Sequence, residues 1–406
     1  MKIAIFSDTH LGFGEKGPRE KESYSNLCQA IGLCISENAD FALLAGDLFD
    51  EPSPNHNMLF KAIECFSKAK SDGCERTVVI EKNGEKKELK MKGLPILAIH
   101  GNHEYKGKET KSALDVLSLS GFLIYFHASK ATLQKEGENV FVYGLGAVPE
   151  KRALGALKQW NPSPEKGATN ILVLHQSFKE FLAVEDEMVA TLSLDDLPKG
   201  FDLVVNGHLH WANEQKLGDT TFLLAGSTIS TAMKKLESEK PKGVHFFDSK
   251  TKVISFKELP VQRKIFYYKI KFEEADTEKV ISECKNAIEE SLANDLALPP
   301  LIRLNLKGTL KKGLSPGDVN TSALIENYSQ KAIFSVSKNF SSASFKTKIS
   351  ELRELQKSKL SLASRGFELL EKNLLETDVG KDFPAKKLFQ LLEEKDIDSA
   401  IKLLED

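Results

Sequence analysis

Apolar residues come in short bursts along the first 260 residues: Ile3–Phe6, Phe41–Ala45, Ile96–Ile99, Val140–Tyr143, Ile171–Leu174, Leu203–Val205, Phe222–Ala225 and Val244–Phe247. Runs this short, rich in β-branched and aromatic side chains, predict buried strands rather than helices. Between them the spacing changes. Leu27, Ile31 and Ile35 recur at helical intervals and predict a helix over Ser25–Ser36; Met58–Phe66 and Leu114–Leu119 read the same way. Strands alternating with helices predict a layered α/β domain. Within Thr77–Met91, Asn83-Gly84 is a two-residue hairpin signal with charged flanks, read as a solvated surface hairpin; a DNA-touching arm is the alternative.

The pattern changes after residue 260. Strands are expected at Ile265–Phe272, Ile302–Leu306 and Ala332–Val336, with helices near Asp276–Leu292 and Asp318–Tyr328, for which Asp276 and Asp318 are candidate N-caps. This predicts a small separate α/β domain over 261–340. Residues 341–382 read as a basic helical linker, with nine Lys and Arg against four Glu between Lys331 and Lys372. Residues 383–406 read as two short amphipathic helices carrying Leu388, Phe389, Leu391, Leu392, Ile401, Leu403 and Leu404. They either pack on their own domain or dock a partner.

Composition narrows the class. Of 406 residues 41% are hydrophobic, and no apolar run approaches the roughly 20 residues of a spanning helix, so no membrane role is expected. The run Lys2–Phe6 stops at Ser7-Asp8, too early for a signal peptide; it reads as a first strand of an intracellular protein. Five cysteines, an odd number with no C-x-x-C pair, predict reduced thiols, mostly buried, rather than a disulfide framework or a cysteine zinc site. A formal net charge of −2 gives no global support for binding nucleic acid, so any such affinity must be local or come from bound cations.

Five short pieces carry candidate chemistry: Asp8-Thr9-His10, Gly46-Asp47, Gly101-Asn102-His103-Glu104, His175 and Gly207-His208-Leu209-His210. Each follows an apolar run closely, and ligands bind at the carboxyl ends of strands in open α/β sheets. Singly, each is commonplace: a capping pair, a turn, a core histidine. Together they supply two carboxylates, one amide oxygen and four imidazoles, a mixed oxygen and nitrogen set that suits Mn²⁺, Fe²⁺ or Zn²⁺ better than Mg²⁺ or Ca²⁺. Seven ligands are too many for one ion and suit two ions ~3.5–4 Å apart sharing a carboxylate. Paired ions lower the pKa of a bridging water and neutralise phosphate oxygens during in-line attack. His103 is the candidate general acid or charge stabiliser for the leaving oxygen.

These pieces, in this order, resemble the calcineurin-like metallophosphoesterases, whose motif runs D-x-H, G-D, G-N-H-D/E, H, G-H-x-H. The resemblance implies that Asp47 bridges the two metals, that Asp8, His10 and His210 complete one site, and that Asn102, His175 and His208 complete the other. Ile5–Gly12, Leu44–Asp50, Ala98–Glu104 and Ala225–Thr228 further resemble the double-strand-break repair nucleases, SbcD and its archaeal and eukaryotic meiotic-recombination-eleven counterparts, over residues 1–340. That resemblance implies a layered β-sandwich flanked by helices (1–260), an α/β capping domain (261–340) and a C-terminal helical tail. It implies two Mn²⁺ ions per subunit, 3′-to-5′ exonuclease action on double-stranded DNA and endonuclease action on single strands. It implies a homodimer joined through helices, for which Met58–Phe66 and Leu114–Leu119 are candidates. It also implies an SMC-like coiled-coil ATPase partner held by 383–406, and a cytoplasmic, nucleoid-associated location. The chain departs from many of these nucleases at Asp50, where they carry a second active-site histidine; Asp50 is expected to orient a ligand instead. The competing readings are a small-substrate phosphatase or phosphodiesterase using the same site, and a non-catalytic DNA tether.

Overall fold

A computed structural model describes residues 1–341 apart from 72, 106–109 and 183–190, and beyond these only residues 387, 388, 391, 397, 399, 401 and 402. The expected basic linker lies outside the described residues, as does most of the expected helix pair. In chain order the elements are β1 (Lys2–Phe6), α1 (Glu22–Ser36), β2 (Phe41–Ala45), α2 (His56–Lys68), β3 (Glu75–Lys82), β4 (Glu85–Lys92), β5 (Ile96–Ile99), α3 (Ala113–Leu119), β6 (Ile124–Tyr125), β7 (Ser129–Lys135), β8 (Glu138–Leu145) and α4 (Glu150–Trp160). There follow β9 (Thr169–Leu174), β10 (Leu203–Asn206), β11 (Asn213–Leu217), β12 (Thr220–Leu224), α5 (Lys235–Ser238), β13 (Gly243–Asp248) and β14 (Ile254–Glu258). The last are β15 (Ile265–Ala275), α6 (Thr277–Leu292), β16 (Leu301–Leu310), α7 (Thr321–Glu326) and β17 (Ile333–Ser341).

Two sheets make the sandwich: one ordered β14-β13-β1-β2-β5-β6, the other β11-β12-β10-β9-β8-β7-β3-β4. Both faces of β1 are buried, and its alternation shows how the layers form. Ile3 and Ile5 join Phe41, Leu43, Leu97, Val173 and Val205 in the core between the sheets. Ala4 and Phe6 point the other way, into a second core with Leu27 and Ile31 of α1, Ala62 and Phe66 of α2 and Leu114 of α3. Leu157 of α4 closes a third core over the outer face of the second sheet. Parallel strands buried on both faces read as continuous apolar runs, which is why these strands were legible in the sequence.

The hairpin forms around Asn83 and Gly84, both at positive φ. Its first strand pairs with β7, so the hairpin extends the second sheet, with charged β4 on the edge. Two compact units emerge from the contacts within the chain: Met1–Tyr268 with Cys284–Leu304 and Ser322–Val336, and Lys269–Glu283 with Asn305–Thr321 and the residues from Ser337. A three-stranded sheet ordered β15-β16-β17 follows the sandwich in sequence. Asp276 caps α6, accepting a hydrogen bond from the Lys279 amide at 2.9 Å. Asp318 does not cap α7: it accepts from the Ser315 amide and hydroxyl, and the helix begins at Thr321.

One expectation is overturned. Cys28 of α1 and Cys65 of α2 form a disulfide, their Cα atoms 5.0 Å apart. The two helices lie side by side over the first sheet, which brings residues 37 apart in sequence within disulfide reach; no cysteine spacing could announce this. Under denaturing, non-reducing conditions we expect three titratable thiols per chain, Cys34, Cys74 and Cys284. Five thiols without reductant would contradict the pairing.

Candidate metal centre

Strand register sets the site. β1, β2 and β5 run parallel, pairing Phe6 with Leu44 and Ala45 with Ile99. β9 and β10 run parallel in the facing sheet, pairing Leu174 with Asn206. All five chemical pieces therefore leave the same edge of the sandwich, at the carboxyl ends of their strands. The first two loops are then clamped together: the Asp8 amide donates to Gly46 O at 3.0 Å, His10 to Asp47 O at 3.1 Å and Leu11 to Leu48 O at 2.8 Å.

The loops are tight. Asp8, His10, Asp47 and His208 all adopt left-handed backbone conformations, with φ of 51°, 43°, 49° and 73°. Each such residue costs on the order of 1–3 kcal/mol, a strain that the surrounding structure must over-determine. Gly46 is required for space: a Cβ there would sit 2.3 Å from His175 Nδ1. Glu104 braces the floor by accepting from the Phe49 amide and the Gly101 amide, both at 2.8 Å.

The structure brings the seven expected ligands together. His10 Nε2 lies 3.1 Å from His210 Nε2, and Asp8 Oδ1 lies 3.6 Å from His210 Nε2. Asn102 Oδ1 is 3.0 Å from His175 Nε2 and 2.9 Å from His208 Nδ1. Asp47 Oδ2 is 3.2 Å from His175 Nε2. Among the described residues, Asp8, His10 and His210 form one cluster that could hold an ion, Asp8, Asp47 and His175 another, and His10, Asp47 and His103 a third. Asp8, His10 and Asp47 each belong to two of the three, so the clusters run into one another as a single centre.

The far nitrogen of each imidazole explains why the near one points inward. His10 Nδ1 is 2.9 Å from Asp50 Oδ1, His175 Nδ1 is 2.7 Å from Ala45 O, His210 Nδ1 is 2.7 Å from Thr231 Oγ1, and His208 Nε2 is 3.0 Å from Ser177 Oγ. Each partner offers an oxygen that can accept a ring N–H, so it is the opposite nitrogen whose lone pair, once free of a proton, faces the centre. Four rings aimed this way, with two buried carboxylates and an amide oxygen, fit a pair of divalent cations. Sequence reasoning assigned the inward groups but missed Thr231, Ser177 with Glu150 behind it at 2.7 Å, and the brace Glu104. Only the last lies inside a motif.

His103 sits beside this cluster rather than within its tightest part. Its amide donates to Asp47 Oδ1 at 3.0 Å and its Nδ1 lies 2.7 Å from the Asp50 carbonyl. That carbonyl can only accept, so Nδ1 carries the hydrogen and Nε2 is the nitrogen left for chemistry. Asp50 thus orients two rings, His10 through its carboxylate and His103 through its backbone.

Electrostatics predicts how cations enter. Burial pushes His208 down to about 4 and His210 to about 2, so both are neutral and ready to ligate at pH 7. Burial also opposes charge on His175, but Asp47 and Asp8 outweigh it and raise that imidazole to about 9. Burial opposes ionisation of Asp47 as well, yet His175, His10 and His103 hold it below the usual carboxylate range. In the metal-free protein at pH 7, His175 therefore carries a proton that a cation must displace. Burial also opposes charge on His10, but Asp50, Asp8 and Asp47 raise it too, so we expect Mn²⁺ binding at pH 7 to release protons from His175 and in part from His10, seen as a calorimetric heat that varies with buffer ionisation enthalpy. Apparent affinity should rise with pH and level off above the His175 value. Buffer-independent heat would contradict the protonated state.

The family model described as calcineurin-like phosphoesterase matches residues 1–212. The double-strand break repair protein MRE11 of Encephalitozoon cuniculi is 30% identical over 258 residues, covering 57% of this chain and 43% of that protein. Its namesake from Rattus norvegicus is 28% identical over 300 residues, covering 64% and 41%. The DNA double-strand break repair protein Mre11 of Methanococcus maripaludis is 26% identical over 305 residues, covering 71% and 75%. The chain thus spans less than half the length of these eukaryotic relatives and three quarters of the archaeal one.

Proposed function

The chain belongs to the calcineurin-like phosphoesterases, and we propose that within that family it is a manganese-dependent nuclease that processes DNA ends. The observation that carries this reading is the convergence of Asp8, His10, Asp47, Asn102, His175, His208 and His210 on one strand-end edge, every histidine aimed inward by a partner on its far nitrogen. Similarity to double-strand break repair proteins supports DNA as the substrate.

In this reading Asp8, His10 and His210 would hold one cation and Asn102, His175 and His208 the other, with the Asp47 carboxylate available to both. Cations bound there supply positive charge against phosphate oxygens and a nucleophilic water at neutral pH. The chain's own part is positional and protonic. The Asp50 carbonyl fixes the His103 ring through Nδ1–H, and the imidazolium form would give its Nε2 proton to the leaving 3′ or 5′ oxygen as the P–O bond breaks, leaving the neutral ring.

Association with other subunits belongs to the same proposal. Phe60 on α2 and Val116 and Leu119 on α3 are large apolar side chains left exposed, Leu119 at 93%. They support a homodimer joined through these helices. Ile397 and Ile401, four positions apart in sequence and both exposed, support a docking role of the C-terminal residues toward a coiled-coil ATPase. Among the described residues no helix is long and apolar enough to cross a membrane.

The test is direct. End-labelled duplex DNA is incubated with the protein and Mn²⁺, Mg²⁺ or chelator. Manganese-dependent shortening from the ends is expected. Hydrolysis of nucleotide monophosphates or cyclic nucleotides with DNA left intact would replace the nuclease by a small-substrate phosphoesterase.

A further inference from the structure

A pocket of about 210 Å³ opens directly off the Asn102–His175–His208 side of the centre. The ligand cluster does not use it. Those three residues line it together with Tyr105, Val148 and Pro149 and with the polar side chains of Glu150 and Gln176. Its volume lies below the range for drug-sized ligands and suits a single flat ring system.

Tyr105 is unusual for its position. It follows the third motif immediately, yet its ring is 45% exposed beside a strongly polar centre. The ring is held from behind. It stacks on His100, centroids 5.9 Å apart at 29° between planes. His100 is itself pinned, with Nε2 2.9 Å from Ala147 O, Nδ1 2.8 Å from the Tyr125 hydroxyl, and the His127 ring 4.7 Å away. His100, itself braced by the Tyr125 and His127 rings, thus supports a half-exposed Tyr105 ring that lines the pocket. Glu150 is oriented too, through one carboxylate oxygen bound to the Ser177 hydroxyl at 2.7 Å.

We propose that Tyr105 and the Val148–Pro149 wall hold the base of the terminal nucleotide beside the phosphodiester being cut, making Tyr105 a specificity-determining residue. This rests on the nuclease reading. A nucleobase offers what the pocket asks for: a flat π-face for Tyr105, and polar edges for Glu150 and Gln176. Stacking tolerates any base, so the pocket distinguishes a nucleotide from a bare phosphodiester without reading sequence.

The experiment compares wild type, Tyr105→Ala and Tyr105→Phe on two manganese-containing reactions: a duplex with an intact terminal nucleotide, and the same duplex with an abasic terminal residue. On the intact end Tyr105→Ala should lose about tenfold in kcat/KM, mostly through KM, because stacking on one aromatic side chain contributes on that order. Tyr105→Phe should retain near wild-type values. On the abasic end wild type should already be slower by a similar factor, and Tyr105→Ala should slow it no further. Equal slowing of both substrates by Tyr105→Ala, or none of either, overturns the assignment while leaving the nuclease reading standing. Wild-type protein that leaves both duplexes intact overturns the nuclease reading, and the assignment falls with it.

Discussion

Asp47→Asn should reduce phosphodiester hydrolysis by about 10³-fold or more while leaving the fold intact. The substitution is chosen to separate charge from shape. Asp47 sits at φ 49°, and Asn tolerates the left-handed region as well as Asp does. The amide oxygen can still accept the His103 amide, now 3.0 Å from Asp47 Oδ1. What is lost is the negative charge at the centre, beside His175 at 3.2 Å. If Asp47 is the carboxylate shared by two cations, its loss removes several kcal/mol of stabilisation, and about 4 kcal/mol is about a thousandfold in rate. A second readout follows from the same charge. Asp47 is a major reason His175 is raised to about 9, so the variant should release fewer protons on taking up Mn²⁺ at pH 7. Activity within tenfold of wild type would contradict the bridging role.

His103→Ala should cost about 10²–10⁴-fold in kcat on DNA, the usual span for a positioned general acid, with Mn²⁺ stoichiometry unchanged. The reason for expecting intact metal binding is geometric. His103 contributes to the candidate cluster with His10 and Asp47, but the Asp8–His10–His210 and Asp8–Asp47–His175 clusters form without it. The reason for expecting a proton role is the Asp50 carbonyl, 2.7 Å from Nδ1, which fixes the tautomer and leaves Nε2 for the leaving oxygen. A substrate whose leaving group needs no proton, such as a nitrophenyl phosphodiester, should therefore suffer much less. Near wild-type rates on DNA would remove His103 from the mechanism. Equal losses on both substrates would make it a charge stabiliser rather than an acid.

How much of this was legible beforehand depends on what each residue faces. Strands buried on both sides, such as Phe41–Ala45 and Leu203–Asn206, declare themselves as unbroken apolar runs. Edge strands do so less. Glu85–Lys92 has the composition of a loop and was legible only through the Asn83-Gly84 turn signal, while Ile254–Glu258 exposes most of its side chains and is a strand because a neighbour pairs with it. The same distinction holds in the centre. Inward groups belong to compact local patterns, D-x-H or H-x-H, whose spacing is readable. The groups that aim them come from elsewhere: Thr231 lies 21 residues from His210, and Ser177 lies 31 from His208. The Ala45 partner of His175 is a backbone carbonyl 130 residues away, invisible to any reading of side-chain types. The Cys28–Cys65 bond escaped for a related reason, since it depends on how two helices lie on a sheet.

Asp50 shows how a departure from a motif can be resolved by geometry. The sequence marked it as the position where related nucleases carry a histidine. In the structure its carboxylate takes His10 Nδ1 and its carbonyl takes His103 Nδ1, so one residue sets the direction of both rings.

The central claim is that distant loops build one centre for two cations. A crystal of the protein grown with Mn²⁺, measured for anomalous scattering at the manganese edge, tests it most directly. Two peaks ~3.5–4 Å apart are predicted, one among Asp8, His10 and His210, the other among Asn102, His175 and His208, with Asp47 between them. A single peak, peaks elsewhere on the molecule, or none would contradict it.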